Sequence, residues 1–208
     1  LGGGKDSIVT LEILKKAGKK IDCFSLNPNE AVTKVIKIAG CSKPVIVRRR
    51  IDPKLLELNR QGFLNGHTPF SAYLAFLSVL CAVIFDYKYI ALSNERSANE
   101  GNVKYLGKMI NHQYSKSFEF EQKFRQYCRE HLVRGVEYFS FLRPLYELQI
   151  AKLFSRHPKY FQAFLSCNES SKRYSGTKKP AGKWCGHCPK CLSVFLYLYP
   201  FLGEQMVS

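Results

Sequence analysis

The first half of the chain alternates between two hydrophobic periods. Apolar residues recur at helical spacing from about Asp6 to Ala17, and Gly18 stops the run. Lys20–Leu26 reads as a strand that ends at the turn Asn27-Pro28-Asn29. A helix follows to Ile38, with Gly40 suited to cap it, and Pro44–Arg49 reads as the next strand. Asp52-Pro53 opens a short helix. The loop Asn65–Pro69 leads into the apolar run Phe70–Phe85, and Tyr87–Leu92 reads as a further strand. Strands alternating with helices predict an α/β fold with a parallel sheet and right-handed crossovers. Ligands of such sheets bind at the carboxyl ends of the strands.

The second half is patterned differently. Asn94–Lys116 is polar and rich in Asn, Ser, Glu and Lys. Ser117–Leu132 and Arg143–Phe154 read as helices, and the apolar stretch Leu192–Leu202 as a last one. The expected division is an α/β domain over residues 1–116 and a helical region over 117–208. The 16 residues Phe70–Phe85 include Ser71 and Ser78 and fall short of the roughly 20 that span a bilayer, so a buried helix is expected and no membrane span. No leader pattern opens the chain.

Composition sharpens the choice of ligand. A chain of 208 residues suits one domain, or one domain with a small appendage. Its 32 basic and 16 acidic residues give a net charge of +16, which favours polyanionic partners such as RNA, nucleotides or sugar nucleotides. Part of that charge is clustered, at Arg48-Arg49-Arg50 and from Lys172 to Lys183.

The strongest candidate chemistry stands at the start: Leu1-Gly2-Gly3-Gly4-Lys5-Asp6-Ser7, running straight into the first helix. First-turn amides of a helix have no intrahelical acceptor, and the helix dipole adds positive potential there. Glycines let that backbone close around phosphate oxygens. Ser7 can donate a hydroxyl, Lys5 adds charge, and Asp6 makes sense beside a Mg²⁺ ion. The string lacks the spacing of a Walker A loop. It resembles the S-G-G-x-D-S signature of PP-loop ATP pyrophosphatases, with Gly2 in place of the first serine. That resemblance implies ATP as a ligand and a cytoplasmic setting. Such loops end a first parallel strand. Only Leu1 precedes this one, so the sequence is expected to lack that strand.

Eight cysteines fall into two groups. Cys23, Cys41, Cys81 and Cys128 stand in apolar or helical contexts and read as structural thiols. Cys185-Gly-His-Cys188-Pro-Lys-Cys191 is C-x2-C-x2-C, with Cys167 upstream. Four thiolates in one turn-rich segment suit a tetrahedral, closed and therefore structural Zn²⁺ site. An iron–sulfur cluster also takes four cysteines. Disulfides would need an oxidising compartment. His187 could replace one ligand, but with four thiolates present it is expected to face solvent or substrate.

A phosphate loop followed by such a cysteine segment resembles cyano-deazaguanine synthase, although the middle of the chain departs from it. A resemblance over nearly the whole chain is to the UDP-N-acetylmuramoyl-L-alanyl-L-glutamate epimerases. It rests on Gly2–Ser7, Gly66-His-Thr-Pro-Phe-Ser71, Asn111-His-Gln-Tyr-Ser-Lys-Ser117, Phe118–Glu121, Tyr138-Phe-Ser140, Leu142-Arg-Pro-Leu-Tyr-Glu-Leu148 and Ser166–Cys191. The resemblance implies conversion of a terminal L-glutamate to D-glutamate, with ATP consumed to AMP and pyrophosphate, on an anionic sugar-nucleotide peptide. Under it, Gly2, Gly3, Gly4, Lys5, Asp6 and Ser7 bind ATP phosphates. Asn94, Glu95, Ser97 and Asn99 form a rim over the carboxylate. His112 is the first candidate for acid–base work, followed by His67 and Lys116. Glu119 and Glu121 read as first-turn acids that complement a helix dipole. Arg143 is a candidate clamp for a substrate carboxylate. The competing reading is PP-loop chemistry on tRNA, with the Lys172–Lys183 stretch tracking phosphates. A third is a zinc-bearing interaction module.

Overall fold

Helix α1, Lys5–Lys16, begins directly after the glycine turn and buries Ile8, Val9 and Leu11. These coordinates are a computed structural model, which describes residues 1–64, 69–171 and 182–203. The chain divides into two compact units, Leu1–His67 with Leu148–Ser208, and Thr68–Glu147.

In the first unit, strand β1 (Phe24–Leu26) pairs in parallel with β2 (Val45–Val47), Phe24 opposite Val45. Helix α2, Glu30–Ile38, connects them, and its N-cap Asn29 accepts from Val32 N–H. That is the β-α-β order expected from the alternating periods. Leu1 lies beside β1: its amino group donates to the Phe24 carbonyl, and its own carbonyl accepts from Ser25 Oγ. Helix α3, Pro53–Arg60, starts at Pro53 with Asp52 as its N-cap.

The second unit holds helix α4 (Phe70–Ile84), strand β3 (Tyr89–Leu92), strands β4 (Val103–Tyr105) and β5 (Lys108–Ile110), helix α5 (Phe118–Tyr127) and strand β6 (Glu137–Ser140). Strand β3 pairs in parallel with β6, and β4 with β5 antiparallel. Its core gathers Ala75, Val79, Phe124, Cys128 and Tyr138.

The first unit resumes with α6 (Glu147–Phe154, whose first residue closes the second unit), α7 (Asn168–Ser171) and α8 (Pro189–Leu202).

Several expectations change. Among the described residues the strands form three two-stranded sheets rather than one parallel sheet. The polar stretch 94–116 contains the β4–β5 hairpin, whose turn places Leu106 and Gly107 at positive φ. The helix expected over 143–154 begins only at Glu147, because Pro144 disfavours helical backbone at Arg143. The helix expected over 117–132 gives way at Cys128 to a π-turn, Cys128–Leu132. Helix α4 is one-sided rather than buried: Ala75, Val79 and Ala82 are inside, while Phe76, Leu80, Val83 and Ile84 are exposed. No helix among the described residues is long and apolar enough to cross a membrane.

Cys23 and Cys41, expected as structural thiols, instead form a disulfide. Strand β1 and the end of α2 bring their Cα atoms to 6.1 Å, a proximity that no local pattern records. Cys81 and Cys128 are buried free thiols.

Candidate functional site

Sterics require glycine at one position of the turn before α1 and favour it at a second. Gly3 has φ +77°, and a Cβ there would stand 3.1 Å from Val32 Cγ2 and 3.3 Å from Val32 N. At Gly4 a Cβ would fall 2.6 Å from Ser166 Oγ, whereas at Gly2 it would meet nothing within 4 Å. The N-cap Gly4 supplies no side-chain cap to α1, so the first-turn amides have no side-chain acceptor there, the arrangement that lets a helix start receive an anion. Ser7 Oγ donates to the Gly4 carbonyl at 2.9 Å, which braces the loop. The Lys5 side chain is buried, with its ammonium 2.5 Å from Asp6 Oδ1. Lys5 thus holds the Asp6 carboxylate in place, and the Asp6 side chain stays partly exposed.

The same loop touches the segment that carries the first cysteine of the cluster. The Gly3 carbonyl accepts from Leu165 N–H at 3.0 Å. Two residues on, Cys167 joins Cys185, Cys188 and Cys191, whose sulfurs all lie within 4.8 Å of one another. Sulfur separations are 3.9 Å for Cys167–Cys188, 3.8 Å for Cys185–Cys191 and 3.5 Å for Cys188–Cys191. A tetrahedron of thiolates with metal–sulfur bonds of about 2.3 Å has edges of about 3.8 Å, so the four can hold a single ion. In a cubane cluster each thiolate takes a different iron, which sets the sulfurs farther apart.

Local sequence explains the shape of this cluster. Gly186 takes φ +76° between two cysteines. Cys188 caps α8 with its sulfur, accepting from Cys191 N–H at 3.4 Å. Burial opposes ionisation of Cys188, but hydrogen bonds from the Cys191 and Asn168 amides and from the neighbouring thiols outweigh it, bringing the thiol down to about 6. His187 is exposed, with Nδ1 2.8 Å from the Cys185 carbonyl, and is not part of the cluster.

In the second unit, Arg143 gathers most of the expected rim. Its Nη1 donates to the Glu95 carbonyl at 3.1 Å, with Asn99 Oδ1 at 3.5 Å. Its Nη2 reaches the Lys116 carbonyl at 2.8 Å, Ser140 Oγ at 3.1 Å and Glu121 Oε2 at 3.2 Å. Both terminal nitrogens of Arg143 are engaged by groups of the protein itself. Asn94 Nδ2 donates to the same Ser140 hydroxyl at 3.1 Å, and Asn99 Oδ1 accepts from Phe118 N–H at 2.6 Å. Ser97 Oγ donates to Glu95 Oε1 at 2.8 Å. Lys116 enters through its backbone carbonyl.

Glu121 is therefore more than a first-turn acid. It is buried against Arg143, whereas Glu119 is exposed and pairs with Lys123 at 2.6 Å. Ser140 belongs to the Tyr138-Phe-Ser140 segment of the resemblance, but a single serine in a short strand carries no periodic signal that gives it a role.

His112 is exposed, beside the hairpin. Its Nδ1 lies 2.8 Å from Asn102 Oδ1, and its own backbone N–H donates to that same oxygen at 3.1 Å. A backbone donor fixes the amide oxygen as the acceptor. The neutral imidazole then carries its proton on Nδ1 and presents the Nε2 lone pair outward, as a general base requires. Asn102 could not be found from sequence, since the pairing depends on the β4–β5 register. His67 and residues 172–181 of the basic stretch lie outside the described residues.

Comparison with known proteins places most of the chain in one family. Residues 1–141 match the MurL N-terminal domain and residues 163–208 the MurL C-terminal domain. The chain is 42% identical over 207 residues to the UDP-N-acetyl-alpha-D-muramoyl-L-alanyl-L-glutamate epimerase of Micromonospora sp., covering 100% of the chain and 45% of that protein. It is 40% identical over 208 residues to the protein of the same name from Salinispora tropica, covering 100% and 44%. With that of Xanthomonas oryzae pv. oryzae it shares 38% over 205 residues, covering 98% and 45%. The chain thus spans somewhat under half the length of these relatives.

Proposed function

The chain belongs to the MurL family, and from that premise we propose that it serves an ATP-dependent glutamate epimerase. The substrate is UDP-N-acetylmuramoyl-L-alanyl-L-glutamate, whose terminal L-glutamate becomes D-glutamate with release of AMP and pyrophosphate, for peptidoglycan precursor synthesis. The glycine turn carries this reading: Gly3 excludes a side chain, Gly4 leaves room for one only if the Ser166 hydroxyl moves, and the turn opens a helix with no side-chain cap.

The chemistry explains why ATP is needed. The Cα–H of a carboxylate is hardly acidic, because its removal would build a dianion. Adenylation converts the carboxylate into a mixed anhydride, into which the carbanion can delocalise. A base then takes the proton, an acid returns one on the opposite face, and water releases AMP. Residues 1–116 act as the PP-loop region, with Gly2, Gly3, Gly4 and the α1 amides receiving phosphate oxygens. Ser7 braces the turn, and Asp6, oriented by Lys5, faces Mg²⁺. His112, with Asn102 behind it, is the base, and His67 is the second candidate. Arg143 orders Asn94, Glu95 and Asn99, which receive the glutamyl carboxylate. Cys167, Cys185, Cys188 and Cys191 hold a structural Zn²⁺, which with four thiolates keeps no position open for substrate. The +16 charge suits a substrate bearing a diphosphate and carboxylates.

The test is a product assay on the full-length protein with ATP, Mg²⁺ and the sugar-nucleotide dipeptide in deuterated water. AMP, pyrophosphate and deuterium at the glutamyl Cα are expected together with a D-glutamyl product. AMP without Cα exchange would keep the phosphate chemistry and move the substrate elsewhere. No substrate-dependent AMP would sink the reading.

A further inference from the structure

The cysteine cluster and the phosphate loop are close in the chain's own packing. Leu165 donates its backbone N–H to the Gly3 carbonyl at 3.0 Å, and Ser166 Oγ lies against Gly4. Cys167, the next residue, is buried at 1% exposure and contributes a sulfur to the cluster. The carbonyl of Cys167 also accepts from Ser170 Oγ at 2.9 Å, fixing the backbone as it turns into α7. Ser166 makes no hydrogen bond with any described residue, so its position is set by its neighbours on either side. One neighbour is the loop contact and the other is a metal ligand. One residue separates the two, so a shift of Cys167 has only the φ and ψ angles of that short segment in which to be taken up before it reaches Leu165.

We propose that the metal held by the four cysteines is the positioning element of the phosphate loop, so that metal binding and nucleotide binding are coupled through Leu165–Cys167. The metal fixes Cys167; Cys167 fixes Leu165 and Ser166; these set the Gly3 carbonyl and the space over Gly4. The coupling is reciprocal by linkage: whatever factor the metal adds to ATP affinity, ATP adds to metal affinity. The nucleotide half of this inference rests on the loop's being the ATP site, and the metal half does not.

The contact at Gly4 supplies the test. A Cβ there would stand 2.6 Å from Ser166 Oγ but 3.8 Å from Ser166 Cβ. Gly4→Ala therefore crowds the Ser166 hydroxyl against the segment that carries it, and Ser166→Ala removes the only atom that clashes. Full-length protein loaded with Co²⁺ reports the site through its thiolate absorption, and chelator competition gives the metal affinity. Gly4→Ala is expected to weaken Co²⁺ by about tenfold, within the usual range of coupling energies, and the Gly4→Ala/Ser166→Ala double variant to restore it. In the wild type, ATP is expected to tighten Co²⁺ by the same factor by which Co²⁺ tightens ATP.

Unchanged Co²⁺ affinity in Gly4→Ala overturns the inference, as does ATP binding that is indifferent to the metal. A wild-type protein that binds no ATP overturns the loop reading and the nucleotide half with it. In that case the metal response to Gly4→Ala still decides the metal half.

Discussion

Gly3 is the residue with least freedom in the loop. Its positive φ and the first turn of α2 both exclude a side chain, the first by backbone sterics and the second by contact with Val32. Gly3→Ala is expected to cost about 1–3 kcal/mol of local strain, which at the loop appears as weakened nucleotide binding. Titration of ATP into the full-length variant measures it. Gly2, with open space around it, is expected to tolerate alanine with little change in the same titration. His112 makes a different prediction, because its ring contacts only Asn102 among the hydrogen bonds described. His112→Gln should leave AMP formation in place and slow Cα–deuterium exchange by about 10²-fold or more. Exchange at the wild-type rate would remove it as the base.

At the scale of elements, Arg143 does the work of a small core. Through it the turn after β3, the turn before α5, α5 itself and the end of β6 meet within hydrogen-bonding distance. The Arg143 and Glu121 side chains are 14% and 6% exposed, so removing one leaves a nearly buried charge without its partner. Arg143→Ala is expected to destabilise the protein by about 3 kcal/mol, and Arg143→Ala/Glu121→Gln to recover part of that loss. Urea denaturation of the three proteins measures the coupling, and additive losses would show that the pair is not acting as one unit. The hairpin and β6 were not legible in the sequence for a related reason. Both are three or four residues long, and a period of two cannot be established over so few positions. Helices α1 and α2 were legible because their apolar positions repeat over several turns and their stops are glycine, the residue suited to a helix end.

On the scale of the whole chain, contacts between residues far apart in sequence set the response to pH and redox. Tyr160, fully buried, donates its hydroxyl to Glu12 Oε1 at 2.5 Å, and Lys159 lies 3.2 Å from the same carboxylate. Burial alone would raise the Glu12 carboxyl; the Tyr160 hydrogen bond and Lys159 outweigh it and hold it below the ordinary value of 4.5. A carboxyl depressed on folding binds fewer protons in the native state than in the unfolded one. Its stabilisation is therefore complete above the unfolded value and is lost as pH falls through the folded one. Glu12→Gln should lower the urea midpoint near neutrality and converge with the wild type in acid. A constant difference across that range would exclude the linkage. The Cys23–Cys41 bridge, with a sequence separation of 18, is worth about 3 kcal/mol by loop closure. Cys41→Ser and a reducing agent should each lower the thermal midpoint, and their effects should not add.

The sequence by itself determined the glycine turn opening a helix, the β-α-β order that follows it, the C-x2-C-x2-C segment and the basic charge. Each is a local pattern, and glycine, cysteine spacing and hydrophobic period act over a few residues. Tertiary structure alone decided that Cys167 closes the cluster with sulfur spacings suited to one ion, and that Ser166 stands over Gly4. It likewise decided that Glu121 is a buried partner of Arg143, that Asn102 orients His112, and that Cys23 meets Cys41. These depend on the close approach of segments separated by 10 to 162 residues, set by packing and strand register, which no window along the chain contains.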